Sequence, residues 1–148
     1  MTVSAFTVFP NWRLKVDRQE VNFLTDTINA SLMKETWTPN ITTQTIWGDV
    51  STHECADAGY VMQTLASKTI ALDGSNRTVW DAADLDFGNN VSLAGKYLLL
   101  WRANATAGQR YLMAYADLNE GGGNLVSVSD DFDFAFSANG IFRVTPNA

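Results

Sequence analysis

The sequence predicts an all-β fold, an antiparallel β-sandwich of jelly-roll-like character with room for one short helix and an N-terminal arm. Three observations point there. Short segments of alternating or β-branched character recur at regular spacing, with Gly, Pro, Asn and Asp clusters between them. One segment, residues 95–103, is apolar on both faces, as a central strand buried on both sides must be. At 148 residues with 46% hydrophobic side chains, the chain is long enough for one domain with a sizeable core and too short for two.

The elements follow in chain order. Residues 1–16 carry Val3, Phe6, Val8, Phe9 and Trp12, an apolar content that free termini seldom show, and Pro10 interrupts the strand pattern. Proline demotes a strand to a sheet edge. This stretch therefore reads as an edge strand of its own domain or as an arm that pairs with a neighbouring subunit, and residues 17–148 form the sandwich. Phe23, Leu24, Ile28 and Leu32 fit one face of a helix, but Ile28, Ala30 and Leu32 also alternate, with Thr27, Asn29 and Ser31 pointing outward. Thr, Asn and Ser are poor in helix interiors, which favours a strand over 27–33 and leaves a helix open for 18–26. Loop signals cover Trp37 to Asn40 and Trp47 to Val50. Ser51 and Glu54 have capping-box spacing for a short helical turn, and Gly59 and Tyr60 open an extended segment through Thr64. Residues 69–72 and 77–81 read as short strands around the turn Asp73-Gly-Ser-Asn76, with another extended piece at 84–87.

In the segment 95–103, Tyr97, Leu99 and Trp101 face one side and Leu98 and Leu100 the other; residues 111–118 are its expected antiparallel partner. Over 131–137, Phe132, Phe134 and Phe136 point inward and Asp131 and Asp133 outward. Asn139-Gly140 reads as a tight hairpin turn that returns the chain through 141–145. Tyr97, Leu99, Trp101, Phe132, Phe134 and Phe136 are the expected core between two sheets.

Charge restricts the function. Charged residues are 18% of the chain and the formal net charge is −6, so no basic face is available for phosphate and nucleic acid is not expected as a partner. No run approaches 18 apolar residues, so no membrane span is expected, and the first residues lack the basic region of a secretory signal. The lone Cys55 has no partner for an internal disulfide and suits synthesis in a reducing cytoplasm. It stands beside His53 and Glu54, but zinc needs three or four ligands and a thiol nucleophile needs a base that faces it, so this segment reads as a structural turn. Aspartates cluster at Asp81, Asp84 and Asp86 and at Asp130, Asp131 and Asp133. Their spacing lacks the glycine and distal glutamate of a calcium loop; solvated acidic faces are the reading, with a surface calcium ion as the alternative. The glycines at 121–123 lack the Lys-Ser/Thr of a phosphate-binding loop. No catalytic residue, cofactor or metal site is expected. Trp37 and Trp47 lie in loop-like stretches, either packed beneath them or exposed as anchors; with Phe6, Phe9 and Trp12 they are the candidate partner contacts.

A set of segments carries a family resemblance. They are Leu32-Met-Lys-Glu-Thr-Trp-Thr-Pro39, Trp47-Gly-Asp-Val50, Glu54, Gly59-Tyr60, Trp80-Asp-Ala-Ala-Asp84, Ala94-Gly-Lys-Tyr-Leu-Leu-Leu100, Tyr115-Ala-Asp-Leu118 and Asn139-Gly-Ile-Phe142. In this order they resemble a family of small structural proteins of tailed bacteriophages, the head decoration or cement proteins. Residues 27–144 take part; Cys55, the aspartates at 130–133 and the N-terminal stretch lie outside the pattern. The resemblance implies a non-enzymatic β-sandwich of the phage head, made in the bacterial cytoplasm. It also implies that the protein binds the major capsid protein as a homo-oligomer and stabilises the assembled shell. The competing expectations are a tail-fibre or baseplate module that recognises a host-surface glycan, and a small hydrolase using two aspartates.

Overall fold

The computed structural model describes residues 1–3 and 5–145, so the last three residues of the expected sandwich lie outside the described residues. Thirteen strands and one α-helix are found among them. In chain order these are β1 (Thr2–Val3), β2 (Thr7–Val8), α1 (Pro10–Asp17), β3 (Ile28–Met33), β4 (Gln63–Thr64), β5 (Thr69–Leu72) and β6 (Thr78–Asp81). Then come β7 (Leu85–Asp86), β8 (Ala94–Gly95), β9 (Tyr97–Arg102), β10 (Leu112–Asp117), β11 (Leu125–Val126), β12 (Asp133–Phe136) and β13 (Phe142–Val144).

The fold is all-β, and β9 is its centre. Leu98, Leu99, Leu100 and Trp101 are all buried, so β9 must be covered on both faces and flanked on both edges. It pairs antiparallel with β3 and with β10, inside a five-stranded sheet of order β2-β10-β9-β3-β4. Three small sheets accompany it, ordered β1-β12-β7, β11-β8 and β13-β6-β5. All pairings are antiparallel except β1 with β12. The result is sandwich-like but lopsided, one broad sheet against several narrow ones.

Cross-strand register assigns the two faces of the broad sheet. Tyr97, Leu99 and Trp101 share a face with Met33, Ser31 and Asn29, and Leu98 and Leu100 share the other with Leu32 and Ala30. Residues 34–55 cover the first face. Trp47 stacks on Trp101 with 4.4 Å between ring centroids and 6° between planes, and Trp37 meets Tyr97 and Tyr115 edge-on. On the second face β8 runs close over β3, where a Cβ on Gly95 would lie 3.3 Å from that of Leu32.

Several expectations need correction. Asn29 and Ser31 do not point to solvent; both are buried. The Ser31 hydroxyl accepts the Trp101 indole N–H at 3.0 Å, and Asn29 Oδ1 accepts the Thr64 hydroxyl at 3.1 Å, which satisfies groups that would otherwise be costly to bury. Residues 10–17 are helical. Pro10 reads as a strand breaker, yet it occupies the first helical position, where its missing N–H costs nothing and its fixed φ suits the turn. Residues 18–26 form turns rather than a helix, because the Asn22 side chain accepts the N–H groups of Leu24 and Thr25.

Ser51–His53 is a single 3-10 turn without a side-chain cap; Glu54 is drawn away to Tyr60. Asn139-Gly140 does form a turn, with φ +67° at Gly140, but not a hairpin. β12 pairs with β1 and β7, whereas β13 pairs with β6. The chain changes sheets because Phe142 stacks on Trp80, 4.9 Å between centroids, and Ile141 donates its N–H to the Trp80 carbonyl. Of the six expected core residues, Leu99, Trp101, Phe132 and Phe134 are buried, while Tyr97 and Phe136 are half-buried at its margin.

Candidate partner-binding surface

The five residues that the sequence offers as partner contacts are not gathered on one exposed face. Phe9, Trp12 and Trp37 are at most 1% exposed. Phe9 follows β2, donates its N–H to the Met113 carbonyl and lays its ring 5.8 Å from Tyr115. Trp12 is the buried residue of α1, and the Trp37 indole donates to Gln44 Oε1 at 3.1 Å. Trp47 is half-buried through its stack on Trp101, and Phe6 through Phe136, 5.9 Å away. A strand as apolar on both sides as β9 needs large covers, and the loops supply their tryptophans for that purpose. The N-terminal stretch likewise pairs within its own domain, β1 along β12 and β2 along β10.

The segment His53 to Asp57 is tied down residue by residue. His53 Nδ1 lies 3.1 Å from the Thr36 hydroxyl. Glu54 accepts the Tyr60 hydroxyl at 2.8 Å, while that oxygen accepts the Leu32 N–H; burial first, and then the Glu54 carboxylate, hold the phenol far above its usual pKa. The Cys55 thiol donates to Asp57 Oδ2 at 3.2 Å, and burial pushes its pKa up, which keeps it protonated at neutral pH. Desolvation works against the Asp57 carboxylate, but the Cys55 thiol, the Ala94 N–H at 2.8 Å and the Lys34 ammonium outweigh it and lower its pKa.

A different face offers itself to a partner. β11 and the residues after it read Leu125-Val-Ser-Val-Ser129, and their alternation runs opposite to that of an ordinary surface strand. Ser127 is buried; its hydroxyl donates to the Val91 carbonyl at 2.8 Å and accepts the Leu93 N–H at 3.1 Å. Val126 and Val128 point to water, 60% and 75% exposed. β1 brings Met1, also exposed, to the same place: its ammonium donates to the Asp133 carbonyl, and its own carbonyl accepts the Ala135 N–H.

Met1, Val126, Asp130, Asp131 and Asp133 line one shallow cavity of about 290 Å³ there, with Phe132 and Phe134 beneath. Asp133 faces Asp86 across the β12–β7 ladder; burial and then that neighbouring carboxylate raise its pKa. Among the described residues no group of three or more His, Cys, Asp or Glu side chains is gathered so as to hold a metal. This is an apolar surface with an acidic rim, suited to an apolar partner with a basic border. The sequence carried its signal in the Val-Ser-Val-Ser alternation, which states the period but not which half faces inward.

Comparison with protein-family models, with curated proteins and with solved structures finds no match for this chain.

Proposed function

We propose that the protein is a non-enzymatic structural component of a tailed-phage virion, a decoration protein that binds the assembled head and stabilises it. One observation carries the proposal: the inverted alternation over 125–129, β11 and the bend after it, which turns Val126 and Val128 to solvent while burying Ser127. Exposed valines, of which Val126 lines the same cavity as Met1, lower the free energy only when a partner covers them. The resemblance of residues 27–144 to phage head proteins supplies the partner, the major capsid protein, and the small domain suits attachment in many weakly held copies. A copy that binds the shell but not free subunits stabilises the shell by about 2.7 kcal/mol per site at a hundredfold excess over Kd.

The experiment is cosedimentation of the full chain with empty capsids. Wild type should pellet with the shell. Val126→Ser combined with Val128→Lys should abolish pelleting without lowering the melting temperature, since both side chains lie outside the core. A wild-type chain that stays in the supernatant refutes the decoration role. The glycan-binding alternative draws no support from the geometry, because Trp12, Trp37, Trp80 and Trp101 are buried and Trp47 is stacked on Trp101.

A further inference from the structure

We infer that two copies of this chain associate through β5, pairing antiparallel about a two-fold axis at Ala71. The two β13-β6-β5 sheets would thereby join into one of six strands. The association does not depend on the virion role.

β5 ends its sheet and all four of its residues are exposed, including Ile70 and Leu72. Sheet edges are normally protected by charge, proline or a bulge, and Thr69-Ile-Ala-Leu72 has none of these. The edge is also preformed. The Asp73 carboxylate accepts the N–H groups of Ser75 and Arg77 and the Arg77 guanidinium at 2.7–3.0 Å, which fixes the β5–β6 turn before any partner arrives.

The hydrogen-bonding phase suits a second copy as occupant. Asp73 donates its N–H to the Arg77 carbonyl, so residues 73, 71 and 69 direct their backbone groups to β6. Ile70 and Leu72 direct theirs to the free edge. An antiparallel copy centred on Ala71 sets Ile70 opposite Leu72 of the second copy, and Leu72 opposite its Ile70. Every outward N–H and C=O of these two residues then finds a partner, with branched apolar side chains matched on one face. Ile70 borders a groove of about 540 Å³ with Val16, Val21, Phe23 and Trp80, so Leu72 of the second copy arrives at an apolar rim.

Charge agrees with this direction. Lys68 precedes the strand and Asp73 follows it, so antiparallel pairing brings unlike ends together where parallel pairing would bring like ends. Lys68, Arg77 and Arg143 balance Asp26, Asp73 and Asp81 around the strand, so the net charge of −6 does not concentrate here and does not oppose contact.

Sedimentation velocity of the full chain between about 1 and 100 µM should show a monomer converting to a dimer. Leu72→Lys sets a charge against Ile70 of the second copy and should raise the dissociation constant at least about tenfold with unchanged melting. Ala71→Cys should cross-link two copies on mild oxidation, since a non-hydrogen-bonded pair places Cα atoms about 4.5 Å apart, within disulfide reach, and Thr69→Cys should not. A monomer at every concentration overturns the proposal. So does a dimer that Leu72→Lys leaves intact or that Ala71→Cys fails to cross-link. If Leu72→Lys does not fold, the cysteine pair decides.

Discussion

Asp57 is one residue through which the stability of this fold depends on pH. Its carboxylate joins the Cys55 thiol, the Ala94 backbone and Lys34, and so ties the loop after Cys55 to β8. Desolvation raises its pKa, but these three donors lower it further, so the folded value lies below that of the unfolded chain. A carboxylate shifted in that direction contributes stability that is present above the unfolded pKa and lost as pH falls through the folded one. Asp57→Asn should therefore reduce stability at neutral pH by about 1–2 kcal/mol, a modest figure because the group is partly open to solvent. It should also flatten the loss of stability below about pH 4. Thermal melts of both proteins from neutral to acidic pH test this; parallel curves would show that Asp57 does not contribute to the acid loss.

At the scale of elements, strands were easier to read than their partners. β3, β5, β9 and β10 stand within a residue or two of their expected bounds, because alternation and double-faced hydrophobicity are local properties. The sheet change at Gly140 was not legible, since it depends on Phe142 finding Trp80, more than sixty positions away. Nor was the inward turn of Ser127, which depends on carbonyl and amide groups of Val91 and Leu93. α1 is hidden for the opposite reason: proline breaks a strand but opens a helix, and only the position of Pro10 at the first helical residue tells the two apart.

The sheet change also yields a prediction. A Cβ on Gly140 would lie 2.5 Å from the Trp80 carbonyl oxygen, and its φ of +67° is one that side chains resist. Gly140→Ala should thus cost about 2 kcal/mol and lower the melting temperature by about 4–8 °C, through displacement of β13 from β6. Unchanged melting would mean that the turn is not held by its contact with Trp80.

The candidate partner face follows the same division at the scale of the whole molecule. Its acids and its alternating valines are visible in the sequence, but the face exists only because the first residues run along β12 and set Met1 beside them. The N-terminal stretch is thus part of the domain's architecture: β1 extends the β12 sheet, β2 closes the edge of the broad sheet, and Val3, Phe9 and Trp12 are buried in the common core. Removal of a buried aromatic costs about 3–5 kcal/mol, against a total stability of about 5–15 kcal/mol for an ordinary domain. Deletion of residues 1–16 removes two such side chains with Val3, and bares an edge of β10 and an edge of β12 besides. The deleted chain should lose its native near-ultraviolet dichroism and its cooperative melt, and should expose apolar surface that binds a hydrophobic dye. A detachable arm would behave otherwise. If the deleted chain melts as the full one does and fails only to sediment with capsids, the stretch acts between subunits, and the pairing with β10 and β12 is not what holds the domain together.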